Sequence, residues 1–361
     1  MLRFSYVMNV LNGEPFIRYQ LDSIYPYSDE IIIVEGAYEK FRHASTPEGR
    51  STDKTLDVIR AYPDPERKIK LIARDGFYED RLGMCNVLLE HATGDIVWQV
   101  DTDEFYAPGT HAYVRKLFES DAELDRVSFH FYDFFASPEY FIRGYETAGL
   151  ADVNRVHRFR AGDRWHSQRP PLLATDDGRL KPVRKHVGGA ELQREGHAML
   201  HATLFFEKQI LEKYKYYASM WGSISKPSDW MLDVWRELSN KFNVACMESC
   251  VTYLCRTPSL DFPEPLLRMV KDIKSGSEGR FMLRRTDDIE TFLGSDVYPV
   301  YAGIAEDLNR YVSAKKGSFC GLWFRIQRNL DAKTRHFASF LLLKTALRNV
   351  RKSLLSPFRP L

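Results

Sequence analysis

Asp101-Thr102-Asp103-Glu104 follows the apolar run Asp95–Val100 and carries the strongest chemical signal in the chain. Two carboxylates one residue apart, where an extended segment leaves a sheet, can converge on one hard cation. Mg²⁺ and Mn²⁺ take such oxygen ligands and complete their shells with phosphate oxygens. The plain alternative for an isolated D-x-D is a solvated acidic turn. Farther on, His197 and His201 stand four residues apart. Neutral imidazole is an acceptable Mn²⁺ ligand beside carboxylates. On a helix the same spacing could bind zinc, but Ala198 stands where the HExxH motif needs its Glu.

The elements that must position these residues alternate in type. Phe4–Leu11 reads as a strand stopped by Asn12-Gly13-Glu14-Pro15, and Phe16–Tyr25 carries apolar residues at helical spacing. Glu30–Glu35 is a short β-branched run of the kind buried on both faces. Ser51–Tyr62 and Arg81–His91 read as helices, Lys68–Ala73 and Asp95–Val100 as strands. Such alternation predicts a parallel, doubly wound sheet whose ligands sit beyond the carboxyl ends of its strands. That rule selects Asn9–Asn12, Glu35–Gly36 and Asp101–Glu104. After Asp125 the pattern is mixed: strands are expected at Arg126–Phe135 and Met199–Phe206 with a loop-rich stretch between, then helix over 207–256.

Residues 1–110 resemble the nucleotide-sugar-binding half of the family 2 glycosyltransferases, which have the GT-A fold. The resemblance rests on five pieces in register. They are Asn12-Gly13-Glu14 after the first strand, Ile31–Glu35, Ser51-Thr52-Asp53-Lys54-Thr55, Asn86 ahead of Gly94-Asp95, and Asp101-Thr102-Asp103. The insertion Gly36–Arg50 departs from the family pattern, so Asp53 is read as a helix N-cap, and Glu35 as the contact to base or ribose. The resemblance implies nucleotide-sugar contacts at Asn12, Glu35 and Asp101. It implies a Mn²⁺ or Mg²⁺ site of Asp101, Asp103 and His201, the last from a second similarity over 197–217. It also implies an inverting transfer, in which a carboxylate takes the acceptor's proton. Asp176, Asp177, Glu191 and Glu195 are eligible, and Glu191 is chosen on its distance from the D-x-D. Asp103 is the other catalytic assignment. Arg81 is placed at the diphosphate, where a surface ion pair would explain it as well. Arg158 and Trp165 fall in the acceptor-binding part; Trp165 would stack on a sugar, or simply pack.

The 361 residues are 44% hydrophobic and 28% charged, a globular composition that excludes disorder and a multi-span membrane protein. A net charge of +2 hides a split: 315–361 holds eleven Lys and Arg against Asp331 alone, leaving 40 basic and 48 acidic residues in 1–314. An acidic body with a basic tail is not the build of a nucleic-acid binder, so no nucleic-acid partner is expected. In the tail Phe340, Leu343, Leu347, Val350 and Leu354 form one helical stripe beside Lys344, Arg348, Arg351 and Lys352. Such a helix over 337–354 could lie in an anionic membrane interface or dock on the acidic body. Five scattered Cys without CxxC fit free thiols in a reducing compartment. The polar Asn9 and Asn12 interrupt any signal-peptide core. The expected setting is cytoplasmic, peripheral on the inner face of the plasma membrane.

The fold expected is α/β of the GT-A (Rossmann-like) type, a mixed, mainly parallel sheet flanked by helices. Residues 1–206 would form that domain (1–110 for the nucleotide sugar, 111–206 for the acceptor), 207–314 a helical extension and 315–361 the basic amphipathic tail. The function expected is metal-dependent sugar transfer from a nucleotide-diphosphate donor to a glycan or lipid-linked acceptor in cell-surface polysaccharide or lipopolysaccharide synthesis. A haloacid-dehalogenase-type phosphatase also has a strand-end D-x-D, but near its N-terminus. A sugar nucleotidyltransferase would need a Gly-rich basic loop that the start of the chain lacks. A non-catalytic carbohydrate- or membrane-binding protein is the remaining alternative.

Overall fold

The structure, a computed structural model, describes residues 1–146, 151–212, 227–238, 244 and 250–315. The described residues divide into two compact units that no single cut in the sequence separates. The first comprises Met1–Tyr132, Asp152–His201 and Leu260–Met282; the second draws on Asp133–Ala151, Ala202–Ser259 and Leu283–Leu361. The amphipathic tail segment 337–354 lies outside the described residues.

In chain order the elements are β1 (Phe4–Val10), α1 (Phe16–Ile24), β2 (Glu30–Glu35), α2 (Thr55–Ala61), β3 (Ile69–Ala73), α3 (Arg81–Glu90) and β4 (Ile96–Gln99). Then come β5 (Glu104–Tyr106), α4 (Thr110–Ser120), β6 (Leu124–Phe135), β7 (Ser137–Arg143), β8 (Asp152–Arg158), β9 (Arg164–Gln168) and β10 (Pro171–Ala174). The rest are β11 (Lys185–Val187), α5 (Gly189–Arg194), β12 (Met199–Leu204), α6 (Pro227–Glu237), β13 (Tyr253–Arg256), α7 (Glu264–Lys274), α8 (Asp287–Leu293) and α9 (Tyr298–Lys315).

The first unit is built on strands in the order β3-β2-β1-β4-β8-β6. The first four are parallel, and β8 is antiparallel to both β4 and β6. The mixed α/β sheet expected from the alternation is therefore present, parallel through its N-terminal half. The isoleucines of β2 are fully buried because helices cover both faces. On one face Tyr6, Trp98 and Phe129 pack with Ile17 and Leu21 of α1 and Val114 and Phe118 of α4. On the other, Val7, Val34 and Val97 meet Met84, Leu88 and Leu89 of α3, and Trp165. Each such aliphatic side chain contributes roughly 1.5–3 kcal/mol on burial, which fixes the strand ends against one another. Outside α1 lies α7, tied by the Tyr19 hydroxyl to Asp272 at 2.8 Å.

In the second unit β7 pairs antiparallel with β13 and with the last residues of β6. Buried Asn309 of α9 accepts from the Val251 N–H at 2.7 Å and donates to the Val251 carbonyl at 2.8 Å.

Two expectations are corrected here. The stretch between Phe135 and Met199 is not loop-rich: it holds β7 to β11 and α5. Their apolar positions alternate with Arg, His and Asn that the fold buries or pairs, so hydrophobic periodicity does not reveal them. The reading of 207–256 as helical holds for α6, but Tyr253–Arg256 is a strand. Among the described residues no helix is long and apolar enough to cross a membrane.

Candidate active site

β1 lies between β2 and β4, and the chain visits β2 and β3 on one side before returning to β4 on the other. Strand order therefore reverses between β1 and β4, where an open α/β sheet leaves a crevice at the carboxyl ends. The Asp101–Glu104 segment leaves β4 at that point. A Cβ on Gly13, just past β1, would lie 3.2 Å from Thr102 Cγ2 and 2.7 Å from Val10 Cγ2, so the two loops are in close contact.

The acidic segment has an inward and an outward part. Glu104 is buried; its Oε2 accepts from Arg155 Nε at 2.8 Å, and its Oε1 contacts Arg155 Nη2. Glu104 Oε2 also accepts the Asp101 N–H at 3.2 Å, and Arg155 Nη2 lies 3.4 Å from Asp101 Oδ2. Burial pushes the Glu104 carboxyl up, with Arg155 opposing. Burial lowers the pKa of Arg155, but Glu104 and Asp101 more than offset it and hold the guanidinium above its ordinary value. The side chain of Asp101 is 35% exposed. Asp103 points the other way: its Oδ2 is 3.5 Å from His201 Nε2. The register explains this meeting, since antiparallel β5 and β12 place His201 directly opposite Glu104.

On the neighbouring strand Asn9 Nδ2 donates to Cys85 Sγ at 2.7 Å. Burial pushes the Cys85 thiol up to about 11; Arg81 pulls it down and Asp101 pushes it further up. Arg81, the first residue of α3, and Asp101 thus both act on the Cys85 thiol from two elements.

Asn12 and Glu35 are used differently. Glu35 is fully buried; it accepts from the Ser51 N–H at 2.7 Å and from Arg50 Nη1 at 3.4 Å. Asn12 sits at φ 55°. Its Oδ1 accepts the Thr52 N–H at 2.8 Å and its Nδ2 donates to the Ala44 carbonyl at 2.7 Å. Both side chains fasten the insertion and the Ser51–Thr52 pair that follows it to the strand ends. Gly36, at φ 141°, lets that segment leave β2; a Cβ there would stand 3.2 Å from the Gly49 carbonyl oxygen. Asp53 accepts the Thr55 N–H at 3.0 Å, but the N-cap position of α2 is held by Lys54, so Asp53, the expected cap, stands one residue ahead of it.

No family model matches the chain, and no curated protein does. Among solved structures, residues 1–349 of S. aureus TarS align at 20% identity with a TM-score of 0.28, over 37% of this chain and 36% of that one. The same protein in complex with UDP-GlcNAc aligns at 20% identity and 0.28, over 37% and 35%. Glucosyl-3-phosphoglycerate synthase from Mycobacterium tuberculosis, in complex with Mn²⁺, UDP and glucosyl-3-phosphoglycerate, aligns at 20% and 0.28, over 41% and 47%. The chain spans less than half the length of each. Likeness at that level carries no weight for activity, which is argued from the side chains themselves.

Three expected site residues lie elsewhere. Arg158 pairs with Ile96 at the opening of β4, the opposite end from Asp101. Its guanidinium donates to the carbonyls of Leu124, Phe118 and Asp121, and so holds α4 to β6 instead of meeting an acceptor. Trp165 is 2% exposed, packed beneath α3 with its ring edge against His157, which leaves no face for a sugar. Glu191 is exposed on α5, where its charge acts on Lys185, His186 and Tyr113. Lys185 and His186 pair with the start of β6, so the structure does not bring Glu191 to Asp103. The other eligible carboxylates, Asp176, Asp177 and Glu195, are also exposed, and Asp177 is paired with Arg179.

Sequence reasoning missed Arg155, the inward role of Glu104, and the Asn9–Cys85 contact. The one available signal for Arg155 was its place in a Val-Asn-Arg-Val run whose valines belong in a sheet.

Among the described residues no three His, Cys, Asp or Glu side chains converge on a metal position. Two of the expected ligands, Asp103 and His201, lie close together. Octahedral Mg²⁺ holds cis ligands about 3 Å apart, and the Asp103–His201 separation of 3.5 Å is close to that. Asp101 is turned toward Arg155. A cation held by Asp103 and His201 would take its remaining ligands from Asp101 after a rotamer change, from water, or from a diphosphate.

Proposed function

We propose that this chain is a divalent-metal-dependent, inverting glycosyltransferase, moving a sugar from a nucleoside-diphosphate donor to a glycan or lipid-linked hydroxyl. The observation that carries it is the approach of Asp103 Oδ2 to His201 Nε2, 3.5 Å apart, beside the crevice between β1 and β4. A Mn²⁺ or Mg²⁺ ion there would neutralise charge developing on the leaving diphosphate. Asp103 and His201 would hold the ion, with Asp101 as the third ligand once its side chain turns from Arg155. Arg81, which acts on the Cys85 thiol together with Asp101, supplies a further positive charge at the phosphates. Arg155 and Glu104 keep the loop in place from below.

Thermal shift with UDP-, GDP-, CMP- and dTDP-sugars, with and without Mn²⁺, tests this reading. One donor class should stabilise the protein only with metal, and the effect should vanish in Asp103→Ala. Stabilisation of equal size without metal, or by no nucleotide at all, overturns it, and turnover of p-nitrophenyl phosphate would favour a phosphatase. The proposed setting is cell-surface polysaccharide assembly at the cytoplasmic face of the membrane, with 337–354 on anionic lipid. Unchanged liposome flotation after deletion of 330–361 would refute the membrane part.

A further inference from the structure

A recess of about 390 Å³, counting its open mouth, lies in the first unit between the β6–β8 pair and the segment after β10. Its floor is polar. Arg126 of β6 and His157 of β8 are direct register partners, and His186 of β11 is the partner of Arg126 on the other side. Its cover is apolar: Leu172, Leu173, Leu180 and Val183 line it, the last two largely exposed.

Arg126 and His157 both line the recess, and each has a buried nitrogen without a hydrogen-bond partner, Arg126 Nε and His157 Nε2. His157 is 4% exposed. Burial, reinforced by Arg126, Arg155 and Lys181, drives its pKa down to about 3, so the ring is neutral and one nitrogen carries a proton. Native proteins pair such groups. The nearby carboxylates are occupied: Asp125 pairs with Arg184 at 2.7 Å, Asp163 pairs with Lys181, and Asp152, whose charge acts on Arg126, accepts the Gly189 N–H at 3.0 Å and lies 3.1 Å from His130 Nε2. Arg158, though it lines the recess, donates to three carbonyls. The remaining donors point to an acceptor from outside the chain, and the positive surroundings favour a negatively charged one.

The geometry points to a second ligand site here, for a small molecule that bears one anionic group, carboxylate or phosphate, on a short apolar substituent. The anion accepts from the Arg126 guanidinium and from the N–H of the His157 ring, and the substituent packs on Leu172, Leu180 and Val183. The site is level with the start of β4, since His157 pairs with Val97, and it is independent of the sugar-transfer reading.

Calorimetric titration of the full chain with butyl phosphate, butanoate and inorganic phosphate, at matched ionic strength in NaCl, tests it. One saturable site is expected. An alkyl anion should bind more tightly than inorganic phosphate, and the preferred member of the alkyl pair identifies the headgroup. Binding should weaken at least tenfold in Arg126→Gln and in Val183→Trp, which fills the mouth from an exposed position, and should persist in Asp103→Ala. Saturable binding by none of the probes, unchanged binding in a natively melting Val183→Trp, or loss of binding in Asp103→Ala would overturn the proposal.

Discussion

The ends of β2 and β4 present the same residue types in the same unit, yet the fold treats them oppositely. At β2, Glu35 and Asn12 are saturated: every polar side-chain atom has a partner within the chain, mainly in segment 36–54. At β4 the acids are sorted. Glu104 turns inward to Arg155, Asp101 stays partly exposed, and Asp103, itself buried, meets His201. A carboxylate whose lone pairs are already engaged is structural. A ligand site needs acids held in place by others that are engaged on their behalf. Sequence position after a buried strand does not distinguish the two cases; the presence of an internal partner does.

That contrast can be broken most forcefully at Asp103. Asp103→Ala should lower sugar transfer at least about a hundredfold, with unfolding stability changed by less than about 1 kcal/mol. Paired assays of turnover and urea unfolding check this, and a large stability loss with activity retained would reverse the assignment. Arg155→Met should do the opposite kind of damage. It strands the Glu104 charge inside the protein, and stability should fall by about 3–5 kcal/mol, measured by denaturant midpoint. Glu35→Gln should cost about 1–3 kcal/mol through weakened bonds to Arg50 and Ser51, while Mn²⁺ affinity stays at the wild-type value; a fall in that affinity would make Glu35 part of the site.

The smallest effect concerns acid. Buried His111 is neutral, with the Tyr6 hydroxyl 2.8 Å from Nδ1, and burial drives its pKa from 6.5 to about 3. The unfolded chain takes up this proton near its ordinary value and the folded chain does not. Stability therefore falls as pH drops through that window. His111→Asn should make the acid limb shallower by one proton's slope, about 1.4 kcal/mol per pH unit at most. An unchanged slope in pH-dependent unfolding would contradict the neutral assignment.

Much of the first hundred residues was legible because their signals are local. Glu30–Glu35 is a strand with the expected bounds, and β1, β3, β4, α1 and α3 differ from expectation by a residue or so at an end. Apolar runs between turn clusters suffice for that. β8 was not legible, since its sequence Asp152–Arg158 carries two arginines, an asparagine and a histidine. Only the buried partners Glu104 and the carbonyls around Arg158 make those residues tolerable inside a sheet. The site followed the same division. Asp103 and His201 meet through a strand pairing across nearly a hundred residues, which the resemblance anticipated and composition could not. Glu191 was placed by its distance from the D-x-D, and Arg158 and Trp165 by their place in the acceptor-binding part of the resembling family; neither signal says which face or end of an element a side chain occupies.

Mn²⁺ binding followed by electron paramagnetic resonance, with the nucleoside diphosphate chosen by the donor panel, tests the central claim most directly. Loss of the free-ion signal at one equivalent per chain, abolished in Asp103→Ala and His201→Ala but retained in Glu35→Gln, is the expected result. Equal Mn²⁺ binding by wild type and Asp103→Ala would mean that the acids at the end of β4 do not hold the ion.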